Sequence, residues 1–165
     1  LGPHVDLFLC ETMSSSPEAF ASLKGAEAAG KPVWVALTVH EMGPATIRGG
    51  EAVGPVAARL YERGAAAVLI NCTAPEQVDP AMAEIAAVAG DRPFGAYANA
   101  FLPTPPDYGL GDTVDHPGMR TDLDAATYAA HAMRWVDAGA TIVGGCCGVG
   151  PAYIEAVAAA LKGPR

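Results

Sequence analysis

Four cysteines, a scatter of carboxylates and four histidines are the residues of this 165-residue chain that could bind a metal or attack a substrate. Three of the cysteines have telling neighbours: Cys72 stands in LINCTAPE, and Cys146 and Cys147 adjoin in the glycine frame GGCCGVGP. Adjacent cysteines are poor disulfide partners for each other. Gly144, Gly145 and Gly148 supply the backbone freedom to aim both thiols at one point. Three thiolates converging on one zinc ion leave its fourth position open for a substrate, whereas a structural site closes it with a fourth Cys or His. Taken singly, each cysteine reads as a small buried residue. Two separate segments carrying cysteine, one of them doubled among glycines, favour the metal reading for the set. Cys10 lies inside an apolar run and reads as a buried hydrophobe rather than a ligand. His40 and Glu41, His116 and His131 have no partner motif, and no role is assigned to them.

The elements that would position these thiols form a repeat. Residues 5–10, 33–39, 67–71, 93–98 and 140–144 are short, nearly continuous apolar runs, the pattern of strands buried on both faces of a parallel sheet. Helix-like segments alternate with them. Val53, Val56, Ala57 and Leu60, and again Ile154, Val157, Ala158 and Leu161, follow the i, i+3, i+4, i+7 spacing of one buried helix face. Ser16 before Pro17 predicts a helix N-cap, and Gly30, Gly64, Gly90 and Gly139 mark helix ends. Five βα units imply right-handed crossovers and a parallel sheet. An open doubly wound sheet and part of a closed (β/α)8 barrel both satisfy this periodicity. In either, Cys72 and the Cys146–Cys147 pair fall at the carboxyl ends of strands, the edge where parallel α/β folds build active sites. Residues 99–121, rich in Pro, Gly and Asp, form one long connection, a candidate functional loop.

Composition narrows the chemistry. A net charge of −8 disfavours nucleic acid and anionic membranes, and 51% hydrophobic residues supply a globular core. No run approaches the roughly 20 apolar residues of a membrane span, and LGPH at the start is no signal peptide. A single cytoplasmic domain over residues 1–165 is expected, with its cysteines reduced. No nucleotide-binding glycine motif is present in its required context. A strand-like run within a few residues of a non-Met start predicts that upstream sequence is missing.

The two cysteine segments resemble the zinc motifs of the homocysteine S-methyltransferases. The resemblance extends through DLFLCETM, KPVWVALTV, PFGAYANAF and DAGATIVGGCC, in the family's order and over essentially the whole chain. It implies a partial (β/α)8 TIM barrel of α/β class, strands four to eight with a parallel sheet and outer helices, strands one to three being absent. It implies Zn2+ on Cys72, Cys146 and Cys147. By the same comparison Glu11 in CETM matches the acidic residue that binds the amino group of homocysteine. Asn99 in AYANA matches the asparagine of a tyrosine-x-asparagine segment that orients the amino acid or occupies the metal's open position. Here Ala98 precedes that asparagine and Ala100-Phe101 follow it, where the family often has proline before and Ser-Gly-Glu after. The family's N-terminal glycine-rich strand has no counterpart.

The resemblance thus implies methyl transfer to homocysteine, giving methionine. The donor would be a sulfonium, S-methylmethionine or S-adenosylmethionine, or betaine. The isolated chain would self-associate or require the missing strands. Two other classes use the same residues: a zinc-dependent lyase or hydrolase, and a non-catalytic partial barrel with a structural or redox cysteine cluster. A hydrolase favours His and carboxylate ligands, and a redox cluster would form disulfides without zinc.

Overall fold

The computed structural model describes residues 2–103 and 118–163. The chain alternates β1 (Phe8–Met13), α1 (Ser16–Glu27), β2 (Val33–Leu37), α2 (Val53–Glu62), β3 (Ala67–Asn71), α3 (Pro75–Ala89), β4 (Phe94–Tyr97), α4 (Ala125–Asp137), β5 (Ile142–Val143) and α5 (Pro151–Lys162). All five strands are parallel, and their order in the sheet is their order in the chain. A doubly wound sheet needs a reversal of strand order, and this one has none. With right-handed crossovers advancing in one direction, every helix falls on the same face, and each helix does contact the next. This is the wall of a barrel, helices outside.

The register assigns the two faces. Val33, Val35, Leu37, Val68, Ile70, Phe94 and Ala96 point to the helices and share one core with Leu23, Leu60, Ile85, Tyr128 and Trp135. Leu9, Trp34, Ala36, Leu69, Gly95 and Ile142 align across the strands on the other face, the inside of the wall. In α2 the predicted face is buried, Val53, Ala57 and Leu60 completely. Cys10 points outward from β1 and packs partly against the helix-side core, as expected of a small hydrophobe.

Several boundaries differ from the sequence expectation. The first strand begins at Phe8 because its pairing begins where β2 offers Val33, and residues 2–4 form a 3-10 turn instead. The helix cap is Ser15, whose side chain accepts from the Glu18 amide at 3.4 Å, while the Glu18 carboxylate accepts from the Ser14 amide at 2.6 Å. The expected strand 140–144 shrinks to two residues, since it pairs on one side only before the glycines begin. On α5 only Val157 of the expected face is buried and Ile154 is 42% exposed, because this helix packs chiefly on α4 and no further element covers that stripe among the described residues. His116 and most of the long connection lie outside the described residues. Its two ends meet in an antiparallel bridge between Phe101 and Met119. No helix among the described residues is long and apolar enough to cross a membrane.

Candidate active site

The three predicted thiols meet at the carboxyl end of the sheet. Cys72 follows β3 directly and adopts φ +50°, a left-handed conformation unusual outside glycine. Its turn is clamped from both sides. The Thr38 hydroxyl donates to the Cys72 carbonyl (3.3 Å), the Thr73 hydroxyl donates to the Asn71 carbonyl (3.0 Å) and accepts from the Val39 amide (3.2 Å), and the Cys72 and Asn99 amides donate to the Tyr97 and Thr73 carbonyls. Cys146 and Cys147 are carried by a continuation of β5 along the extended end of β4. The Gly144 amide donates to Ala96, Cys146 to Ala98 and, in return, Ala100 to Cys147, at 2.8–3.1 Å. The Tyr128 hydroxyl lies behind this ribbon, 3.1 Å from the Ala98 carbonyl and 2.8 Å from that of Gly144.

Sulfur to sulfur, Cys72 and Cys147 are 3.9 Å apart and Cys146 and Cys147 3.8 Å, and all three lie within 4.8 Å of one another. A tetrahedral zinc ion with bonds of about 2.3 Å sets its sulfur ligands roughly 3.8 Å apart. The donor set therefore fits such an ion in number, type and spacing. The thiols also divide one another's protons. Cys146 is lowered to about 6, chiefly by the neighbouring Cys72 thiol, with help from the Cys147 amide and Asn71. Cys72 is raised by the proximity of Cys146 and by burial, and Cys147 is raised by burial.

Cys146 opens onto a cavity of about 370 Å³ on the inner face, lined also by Leu9, Trp34, Leu69, Ile142, Tyr97 and Glu11. Glu11 is thus brought to the same cavity as Cys146, from the far side of the sheet. Strand alternation does this, since Glu11 stands two residues beyond the inward-facing Leu9. A bulge follows it: Cys10 pairs with Val35 but Met13 with Leu37, so three steps on β1 oppose two on β2. Thr12, at φ +61°, absorbs the extra residue and sits beside Asn71. Burial, with the Glu11 carboxylate close by, raises the Tyr97 hydroxyl, which is shut off from solvent without a hydrogen-bond partner among the described residues. Asn99 is buried at the end of β4. Its side-chain carbonyl accepts from the Phe101 amide (3.3 Å), an Asx turn, and its amide group donates to Glu41 (3.4 Å). His40 is exposed, and His131 is buried in α4, away from the cavity.

Sequence reasoning did not pick out Asn71, Thr12, Tyr97 or Tyr128 as site residues. Tyr97 could have been found from alternation, two residues beyond Gly95 on the same face. The bulge and the Tyr128 contacts leave no signal in spacing.

The profile of the family described as homocysteine S-methyltransferase matches residues 1–161. The chain belongs to the homocysteine S-methyltransferase family. It is 28% identical over 177 aligned residues to betaine–homocysteine S-methyltransferase 1 of Mus musculus, covering 98% of this chain and 41% of the relative. It is 27% identical over 154 residues to selenocysteine Se-methyltransferase of Brassica oleracea var. italica, covering 92% and 42%. Among solved structures it is similar to the metallated form of the homocysteine methyltransferase MmuM from Escherichia coli, with a TM-score of 0.68 and 25% identity over 94% of this chain and 45% of that one. The chain therefore spans less than half the length of these curated relatives, and its sheet is part of a (β/α)8 barrel.

Proposed function

We propose that these residues form the metal-binding and amino-acid-binding part of a zinc-dependent methyltransferase that converts homocysteine to methionine. The observation that carries this reading is a cluster of three mutually spaced sulfurs, one of which, that of Cys146, belongs to a residue lining the same cavity as Glu11. Zinc, when bound, supplies the Lewis acidity that lets a thiol, ordinarily with a pKa near 8.5, lose its proton at neutral pH. Cys72, Cys146 and Cys147 would hold the ion with one position left for the substrate sulfur, and their three negative charges would preserve that sulfur's electron density. Glu11 anchors the substrate ammonium by a charge-assisted contact. Asn99, fixed by its Asx turn beyond the end of β4, orients the amino acid. Leu9, Trp34 and Leu69 line the apolar part of the cavity beside the methylene chain.

The methyl carbon bonds to the substrate sulfur as its bond to the donor breaks, the bonding pair leaving with the donor's sulfur or nitrogen and the thiol proton passing to solvent. S-methylmethionine, S-adenosylmethionine and betaine all present such a cationic methyl group. A complete barrel also needs three further βα units, because β1 and β5 each pair on one side only. Upstream sequence or a companion chain would supply them in a cytoplasmic enzyme.

Elemental analysis tests the metal centre. The complete protein should retain about one zinc per chain after dialysis against a mild chelator, and Cys72→Ala, Cys146→Ala and Cys147→Ala should each lose it, since two thiolates bind far more weakly. Full zinc content in Cys146→Ala would remove the three-thiolate site.

A further inference from the structure

Asn71 is 1% exposed and lies on the strand between the two halves of the site. Its carboxamide is turned to both. The side-chain carbonyl accepts from the Thr12 amide at 3.0 Å, one N–H donates to the Thr12 hydroxyl at 2.9 Å, and the amide nitrogen stands 4.0 Å from the Cys146 sulfur. Thr12 is no ordinary partner. It is a β-branched residue at φ +61°, the strained member of the bulge that directly follows Glu11. Across β2, therefore, Asn71 grips the backbone and hydroxyl of the residue next to the ammonium anchor. Toward β5 it offers an N–H to the one thiol of the three that lines the cavity.

We propose that Asn71 is a positioning residue that couples the two halves of the site, fixing Glu11 through Thr12 while tuning the Cys146 thiolate by an N–H···S hydrogen bond. This rests on the zinc and homocysteine reading above. A buried asparagine that only satisfies local polar groups would hold the bulge and do nothing to the sulfur. An N–H donated to a thiolate withdraws electron density from it. It should therefore raise the energy of sulfur-to-metal charge transfer and lower the energy of the metal site. Asparagine is suited to this because one planar group presents an acceptor and two donors at once. Aspartate has the same shape but no donor.

The test uses the complete chain loaded with Co(II) in place of zinc, comparing wild type with Asn71→Asp, Asn71→Ala and Glu11→Gln. Three readouts are taken: the sulfur-to-cobalt charge-transfer band, the cobalt affinity by chelator competition, and homocysteine binding by calorimetry. Both Asn71 variants should move the band to lower energy, weaken metal binding by about 10- to 100-fold, as for other groups that hydrogen-bond to metal ligands, and weaken homocysteine binding by at least roughly tenfold. Glu11→Gln should weaken homocysteine binding with the band unmoved. If Asn71→Ala does not fold, Asn71→Asp carries the test, because it keeps the acceptor for the Thr12 amide. An unshifted band with wild-type metal affinity in the folded Asn71 variants overturns the inference. A wild-type protein with no thiolate band at all overturns instead the zinc reading on which it rests.

Discussion

Gly95 pairs with Ile142, four residues before Cys146, and replacing it with alanine should damage the proposed metal site. On the inner face of β4 it stands against Ile142 of β5, and a Cβ built at Gly95 would fall 1.8 Å from the Ile142 carbonyl oxygen, 2.7 Å from its carbonyl carbon and 2.9 Å from its Cβ. Two of the three obstacles are backbone, which no rotamer change can clear. Bringing the closest contact to 3.0 Å, below which real Cβ atoms are essentially never found, requires β5 to retreat by about 1.2 Å. The strand leads straight into the Cys146–Cys147 turn, held in line by the same ladder of bonds to β4. Zinc ligand distances tolerate about 0.2 Å, so a displacement several times larger separates Cys146 and Cys147 from Cys72.

Overpacking of this kind costs roughly 1 to 3 kcal/mol of folding stability, and the loss of ligand geometry should weaken zinc binding at least tenfold, or ~1.4 kcal/mol. Chelator competition measures the second and thermal unfolding of the metal-free protein the first. Gly144→Ala is the internal control. Its Cβ would meet the Tyr97 Cβ at 3.5 Å, an ordinary contact, although Gly144 lies nearer the thiols. The reasoning is refuted if Gly95→Ala binds zinc and unfolds as wild type does, for β5 would then not set the position of the cysteines.

Glu11→Gln should keep its zinc and weaken homocysteine binding by ~1.5 to 3 kcal/mol, because a neutral contact replaces a charge-assisted one; unchanged affinity by calorimetry would place the ammonium elsewhere. His131 predicts a pH dependence of stability. Burial and the Arg134 guanidinium hold its pKa below the usual histidine value, partly offset by Glu76 and Asp79. Its Nδ1 lies 2.5 Å from Arg134, which can only donate, so the ring is neutral in the folded state. Above about pH 6.5 the folded and unfolded chains both carry a neutral ring. Below that the unfolded chain takes up the proton first, so stability should fall with pH at up to ~1.4 kcal/mol per unit until the folded pKa is passed. His131→Gln should flatten this slope in denaturant titrations at pH 5 to 7, and an identical slope would assign it to other groups.

The chemistry of this site was more legible than its scaffold. Cys72, Cys146 and Cys147 declare themselves by residue type and by glycine neighbours, which are local properties. Gly30, Gly64, Gly90 and Gly139 mark helix ends for the same reason, each at positive φ. Strand limits depend on partners that lie elsewhere in the chain. Val5 and Leu7 are apolar, as strand residues often are, but Val33 is where β2 can first pair, and so the strand starts at Phe8. Ile154 completes a helical stripe that spacing alone would bury, while the decision rests with what lies above it. Asn99 shows the limit at the site itself. A residue matched to a substrate-binding role also closes a local Asx turn, and one side chain can do both only because its carbonyl and amide point to different neighbours.

Among the described residues, the only non-glycine residues with positive φ are Thr12 and Cys72, and both are at the site. Each such conformation costs on the order of 1 to 2 kcal/mol, so something must over-determine it. For Cys72 it is the hydroxyls of Thr38 and Thr73, with the ends of β2 and β4 on either side. For Thr12 it is Asn71. The strain does geometric service in both cases. A strand in regular register shows every second side chain to the cavity. The bulge at Thr12 turns two successive residues inward, and the left-handed turn at Cys72 swings a thiol back toward a partner carried by β5.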